Sequence, residues 1–175
     1  MPADSDGALR ICQVSHNHGD VAALTARVQD YYQRLYGGPD TTPVDDAEFS
    51  PPRGAFFVGY LVDEAVAMGG WRWSEAPLDI PATKPAEIKR MYVVEASRNR
   101  GVARQLLAHL ENTASAAGAG ALVLETGQEQ PDAIALYRSA GYVDIPRFGH
   151  YAAAPSAVHL GKLLKGTRPH EGVAP

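Results

Sequence analysis

Apolar positions along the chain fall into blocks of changing period, and the blocks predict a mixed α/β layer fold. Leu9 to Val14 (LRICQV) alternates in part and reads as a first strand. Val21, Leu24, Val28, Tyr31 and Leu35 then recur at helical spacing, with Asp20 placed as the N-cap and Gly37-Gly38 ending the helix. Residues 39–52 form a loop rich in Pro and acids. Residues 55–62 (AFFVGYLV) and 65–73 (AVAMGGWRW) predict two strands turned by Asp63-Glu64. Gly69-Gly70 inside the second marks a bulge or a close backbone approach.

A second Pro-rich loop, 74–86, leads to a strand over 87–94 with a charged first half. Val102, Ala103, Leu106, Leu107, Leu110, Ala114 and Ala117 share one face of a helix over 102–117, which Gly118 terminates. Residues 121–126 (ALVLET) are nearly all apolar, as a central strand requires. Pro131 suits the first turn of a helix reaching Ala140, with Gly141 beyond it. Residues 142–153 and 156–164 read as two closing strands. The order is β α ββ β α β α ββ, a central mixed sheet of about six to seven strands flanked by helices. One domain is expected over residues 1–165, with 166–175 as a disordered tail.

Composition narrows the partners. Length 175 and 45% hydrophobic residues suffice for a domain with a real core. A net charge of −4 argues against nucleic acid as a partner. No apolar run approaches the roughly 20 residues a membrane helix needs. The acidic start MPADSDGALR lacks the apolar core of a signal peptide. A lone Cys12 makes no internal disulfide and no Cys-x-x-Cys pair, which fits a reducing cytoplasm. His16-x-His18 has no accompanying third ligand, so no metal is expected.

Against that acidic background, Arg98, Arg100 and Arg104 crowd the start of the 102–117 helix around Gly101. A helix N-terminus is already electropositive and has unsatisfied N–H groups. Three added guanidinium groups make sense if a strongly negative group binds there. Gly101, without a side chain, lets the backbone approach that group closely, and Ala103 is nearly as small. The turn therefore reads as a pyrophosphate cradle. Neither G-x-x-x-x-G-K-[ST] nor a G-x-G-x-x-G following a strand is present.

Arg98 to Ala103 spells R-x-x-G-x-A. This resembles the [QR]-x-x-G-x-[GA] signature of the GNAT superfamily of acyl-CoA-dependent N-acetyltransferases, placed between the family's fourth strand and the helix after it. EIKRMYV (87–93) is similar to that fourth strand, ALVLET to the fifth, and DAIALYRSAGY (132–142) to the family's A-x-x-L-Y-x-x-x-G-[FY] helix. The resemblance is specific over about 86–145 and looser elsewhere. It implies a GNAT fold with a splayed strand pair. It implies that acetyl-CoA binds by its pyrophosphate at Arg98, Asn99, Arg100, Gly101, Val102, Ala103 and Arg104, and by its pantetheine along the backbone of Met91, Tyr92 and Val93. Gln130 stands where many members carry a pantetheine-binding Asn.

The same resemblance places two catalytic groups. Tyr137 matches a tyrosine that in many members lies near the CoA sulfur, and a phenol is a suitable proton donor to a thiolate. As pattern alone it is also one of an apolar stripe with Ala133, Ile134 and Ala140. Glu87 falls where the histone-acetyltransferase branch carries a general base. It also shares a strand face with Lys89, and an ion pair between them would make it a poorer base. For the acceptor pocket the aromatics Tyr31, Tyr32, Trp71, Trp73 and Tyr151 are the candidates, with Trp71 and Trp73 on one strand face. The four acids Asp40, Asp45, Asp46 and Glu48 read either as a solvated loop or as a field attracting a cationic amine. The expected function is direct transfer of an acetyl group from acetyl-CoA to a primary amine, on a small molecule in preference to a protein or peptide. A homodimer is the candidate assembly. The alternative is a catalytically silent acyl-CoA sensor or regulatory subunit.

Overall fold

The computed structural model describes residues 7–76 and 78–165; the tail expected over 166–175 lies outside them. The described residues contain one seven-stranded sheet in the order β1-β2-β3-β4-β5-β7-β6. Its strands are β1 (Arg10–Val14), β2 (Gly54–Leu61), β3 (Glu64–Trp73), β4 (Pro85–Val93), β5 (Ala121–Gly127), β6 (Val143–Asp144) and β7 (Ala157–Leu163). The helices are α1 (Gly19–Tyr36), α2 (Val102–Ala116) and α3 (Pro131–Ser139). Neighbouring strands are antiparallel except β4 and β5, which α2 joins as a parallel pair.

The helices cover the two faces of the sheet. Val21, Leu24 and Val28 bury the inner stripe of α1, and the Thr25 hydroxyl reaches Met68 Sδ at 3.9 Å. Val102, Leu106, Leu107, Leu110 and Ala114 bury the stripe of α2. On that side Trp71 Nε1 donates to Thr113 Oγ1 at 3.0 Å, and Phe57 meets the His109 ring edge to face at 4.6 Å. Met68 and Trp71 of one strand thus face opposite helices. Covering both faces explains why β2 and β3 are buried almost end to end instead of alternating.

Two local expectations change. The α1 cap is His18, whose Nδ1 accepts from Asp20 N at 3.2 Å, and not Asp20. The Asp20 carboxylate instead accepts from the Tyr60 hydroxyl at 2.6 Å, which helps raise that phenol, already lifted by desolvation, to about 12. The expected strand over 142–153 contracts to Val143–Asp144. Pro146 supplies no N–H for a ladder, Gly149 sits at φ 71°, and residues 149–153 form turns.

Two irregularities of the sheet give β4 its unusual shape. β4 and β5 pair only over Pro85–Glu87 with Ala121–Val123, after which the strands part. β4 is also bulged: Met68 faces Tyr92 and Gly70 faces Lys89, so Arg90 and Met91 both lie opposite Gly69. Arg90 takes φ 57°, in the left-handed region that non-glycine residues rarely occupy. Gly69-Gly70 does mark this irregularity, although the extra residue belongs to β4. A Cβ on Gly69 would come within 3.3 Å of Met91 Cα, and one on Gly70 within 2.4 Å of the Phe56 ring and 2.7 Å of Ala55 O.

Gly70→Ala is therefore expected to destabilise the protein by about 1–3 kcal/mol through overpacking. Gly19→Ala, where a Cβ meets nothing within 4 Å, is expected to stay within about 0.5 kcal/mol of the parent. Urea denaturation midpoints of the two variants check the contrast.

Candidate functional site

Where β4 and β5 part, a cavity of about 370 Å³ opens between the strands. Its walls come from Ile88–Met91 of β4, Leu124–Gly127 of β5, the C-terminal half of α1, the 38–42 loop, the first turns of α3, and the 151–157 turn. Splaying explains the lining. β5 remains paired with β7 along its whole length, and β4 remains paired with β3. Only the facing edges of β4 and β5 lose each other, and they present backbone N–H and C=O groups to the cleft.

Tyr137 stands on this wall, 7% exposed, with its hydroxyl 3.5 Å from Met91 Sδ. Burial among apolar neighbours pushes its phenol well above the ordinary range, so it stays protonated at any working pH. Tyr32, also on the wall, is held protonated by burial and by the nearby Asp40 charge. Gln130 lines the cavity and donates from Nε2 to the Tyr36 hydroxyl at 2.8 Å. Tyr151 lines it too, donating to Asp40 Oδ1 at 2.7 Å and accepting from Thr41 N at 3.1 Å.

A chain of charges leads to the cavity. The Glu48 carboxylate binds the Arg72 guanidinium, whose Nη2 lies 3.4 Å from Glu87 Oε2. Glu87 Oε1 holds Lys89 Nζ at 2.8 Å, and the same Nζ lies 3.6 Å from Glu125 Oε2. His159 Nε2 stands 3.4 Å from Glu125 Oε1 and 3.1 Å from Phe148 O. Lys89 and Glu125 line the cavity; Glu87 does not, and both of its oxygens face cations. The ion-pair alternative raised by the sequence is thus the arrangement present. Nearer the mouth, Arg90 Nη1 lies 3.5 Å from Asp40 Oδ2. Burial alone would raise the Asp40 carboxyl. Bonds from Thr42 N, the Tyr151 hydroxyl and Thr42 Oγ1, with the Arg90 charge, outweigh it and hold the group below the usual carboxylate range.

The basic turn follows β4. Gly101, at φ 77°, is the N-cap of α2 and no side chain caps the helix, so its first N–H groups remain open to an anion. The three arginines differ in employment. Arg98 Nε donates to Val93 O at 3.1 Å, and its guanidinium lies over the rings of Tyr31 and Tyr92 at 5.2 and 5.9 Å. Arg104 Nη2 donates to Ser139 Oγ at 2.7 Å, tying α2 to α3. Arg100 is exposed. Arg98 therefore serves first to fix the turn against the end of β4.

The structure sorts the remaining candidates. Met91 lines the cavity, whereas Tyr92 lines a separate groove with Arg27 and Arg34, and Val93 is buried. Tyr31 lies under Arg98, and its neighbour Tyr32 takes the cavity position. Trp71, 4% exposed and bonded to Thr113, is a core residue and not a pocket residue. Two of the four acids of the loop, Glu48 and Asp40, meet an arginine. Asp45 and Glu48 form a capping box, Glu48 binds Arg72, Asp46 lies 2.6 Å from His16 Nδ1, and Asp40 meets Arg90. That spends half of the field that would attract an amine. The site residues that sequence reasoning missed are Tyr36, Lys89, Arg90 and Glu125. The one available signal was the charged first half of the 87–94 strand, since charges on a central strand need a reason. Among the described residues no cluster of His, Cys, Asp and Glu is arranged to hold a metal, and no helix is long and apolar enough to cross a membrane.

Comparison with known proteins agrees with this geometry. The sequence profile of the acetyltransferase (GNAT) family matches residues 25–142. An IAA acetyltransferase of Azospirillum brasilense is 44% identical over 78 residues, 45% of this chain and 51% of that protein, so the match spans about half the length of that relative. Among solved structures, a protein of Klebsiella pneumoniae subsp. pneumoniae provisionally described as an acyl-CoA N-acyltransferase superposes with a TM-score of 0.74 at 28% identity, covering 90% of this chain and 98% of that one. The ribosomal-protein-S18-alanine N-acetyltransferase of Escherichia coli, at 18% identity and TM-score 0.61 over 93% and 98% of the two chains, shares the fold.

The Asp40 network gives a pH prediction. A carboxyl lowered on folding contributes stability above its unfolded value near 3.9, and that contribution fades as pH falls through the lower folded value. Asp40→Asn is expected to lose about 1 kcal/mol at pH 7, solvent screening allowed for, and the gap to the parent should narrow below about pH 4. Thermal melts at pH 7 and pH 3.5 check both.

Proposed function

The chain belongs to the GNAT family of acetyltransferases, and on that premise we propose that it transfers an acetyl group from acetyl-CoA directly to the primary amine of a small molecule, both substrates being bound together. The observation that carries this reading is the splay of β4 from β5 beyond Glu87 and Val123, with Tyr137 buried on its wall. An unpaired strand edge offers an extended amide-bearing arm the backbone bonds it needs. The open start of α2 lies just past the end of β4, where a pyrophosphate joined to that arm would fall.

The chemistry assigned to each residue comes from its position. The β4 edge around Met91 orients the thioester and donates backbone hydrogen bonds to its carbonyl. Lys89 and His159 flank Glu125 as well, but Glu125 is a carboxylate that lines the cavity, and its buried Oε2 makes no hydrogen bond, so it receives the proton released as the amine attacks. This moves the proton-accepting role from Glu87, the position the sequence resemblance indicated, to Glu125. Glu87 acts through Lys89, holding that ammonium in place beside the acceptor carboxylate. As the C–N bond forms and the C–S bond breaks, the Tyr137 phenol donates its proton to the departing thiolate. Its desolvated setting matches that of the thiolate, because both charges would develop in the same cleft poor in water. No acyl-enzyme is required. Cys12, on β1, is not among the cavity residues. The catalytic unit is taken as residues 1–165.

Thiol release from acetyl-CoA in the presence of a panel of amines tests the assignment. Tyr137→Phe should lower kcat by about a hundredfold or more while calorimetric affinity for acetyl-CoA changes less than about threefold. Glu125→Gln should lower kcat/KM at least as far as Glu87→Gln. Equal loss of turnover and cofactor affinity in Tyr137→Phe would make the tyrosine a packing residue. Binding without thiol release across the panel would favour a sensor.

A further inference from the structure

The buried side-chain atoms without a hydrogen-bond partner include two on the wall of this one cavity: Nη1 of Arg90 and Oε2 of Glu125. Both side chains are almost enclosed, 11% and 5% exposed. Each atom has an opposite charge nearby but makes no hydrogen bond to it, at 3.5 Å to Asp40 Oδ2 and 3.6 Å to Lys89 Nζ. The nearby charges are anchored by other partners. Asp40 Oδ1 accepts from Thr42 N, Thr42 Oγ1 and the Tyr151 hydroxyl, and Lys89 Nζ is drawn to Glu87 at 2.8 Å. Those bonds anchor both counter-charges where they stand, at ion-pair distance from Arg90 and Glu125 and not at hydrogen-bond distance.

Buried polar atoms in native proteins are nearly always satisfied, so an unmet donor and an unmet acceptor in one cavity need an explanation. The Arg90 backbone strengthens the case. A bulge and a left-handed φ of 57° bring both Lys89 and Arg90 onto the cavity wall, where regular alternation would send one of them to the other face. A guanidinium with free donor capacity calls for a carboxylate, and a carboxylate with free acceptor capacity calls for an ammonium. A simple alkylamine would leave Arg90 unmet, and a simple acid would leave Glu125 unmet. The remaining wall includes Tyr32, Tyr36, Leu124 and Ala133, which suit an apolar or aromatic side chain.

We infer that the acceptor is a small zwitterion of the α-amino-acid type with an apolar side chain, its carboxylate bound by Arg90 and its amine presented at Glu125. This rests on the amine-acetylating reading above and narrows its substrate class.

Matched acceptors test it. Phenylalanine is compared with phenethylamine, which lacks the carboxylate, and leucine with 3-methylbutylamine, by thiol release at saturating acetyl-CoA. The amino acids should exceed their partner amines at least tenfold in kcat/KM. Arg90→Gln should shrink that ratio at least tenfold, with Arg90→Lys between, since a lysine keeps the charge and loses the two-pronged geometry. Because the readout is a ratio within one variant, a general loss of folded protein does not mimic it. Preference for the plain amines, or a ratio unmoved by Arg90→Gln, would overturn the inference. Absence of thiol release with every amine would count against the catalytic reading alone. The acceptor class is then judged by calorimetry on the CoA-saturated protein with phenylalanine, phenethylamine and 3-phenylpropanoate. Phenylalanine binding at least tenfold tighter than both, with the advantage over phenethylamine lost in Arg90→Gln, supports the zwitterion site; equal binding or none refutes it.

Discussion

The parting of β4 from β5 is the constraint on which the rest of the molecule turns. Three residue pairs hold the two strands together at one end, and beyond them each strand keeps only its outer partner. A sheet interior that simply lost these bonds would carry orphaned backbone groups, a costly state away from water. Here the same groups line an open cavity. The geometry is stable because the outer ladders are long and both faces of the sheet are covered by helices. The open edge is thus a local departure that the surrounding core over-determines, which is the usual way strain is stored at a site.

Charge is handled by the same logic. From Glu48 through Arg72, Glu87 and Lys89 to Glu125, carboxylates and cations alternate, so no charge in the chain lacks an opposite neighbour. Only the last member reaches the cavity with an oxygen left over. Such a relay suits a site that must accept a proton or an ammonium without unfolding around it: the added charge arrives where the counter-charge is prearranged. The Asp40–Arg90 pair plays a comparable part at the mouth, where it also pins the 38–42 loop to the 151–157 turn through Tyr151.

Elements with strong local signals could be read directly. The α2 stripe, the Gly101 turn and the Pro131 start of α3 are set by periodicity and by residues with few conformational alternatives. Weak signals misled where two local answers were close in energy. A capping histidine took the place beside Asp20, and the segment around Pro146 and Gly149 turned instead of continuing as strand. Trp71 and Trp73 do lie against each other, their rings 5.4 Å apart, yet which helix that face meets was a matter of packing and placed Trp71 in the core.

The sequence by itself determined the layer architecture, the anion-ready turn and the tyrosine of the last helix, because these depend on contacts within a few residues or on a motif whose spacing is conformational. Tertiary structure alone decided which charged side chains meet in the cavity. Glu87 and Lys89 share a strand face, but β5 still pairs with β4 at Glu87 and closes it off, whereas by Lys89 the strands have parted and the bulged Arg90 joins it on the wall. Their partners Asp40, Glu125 and Tyr151 come from distant parts of the chain. A side chain's role in a cleft depends on the face it points to and on what crosses from elsewhere. A one-residue shift in a strand inverts the first, and only the folded chain supplies the second.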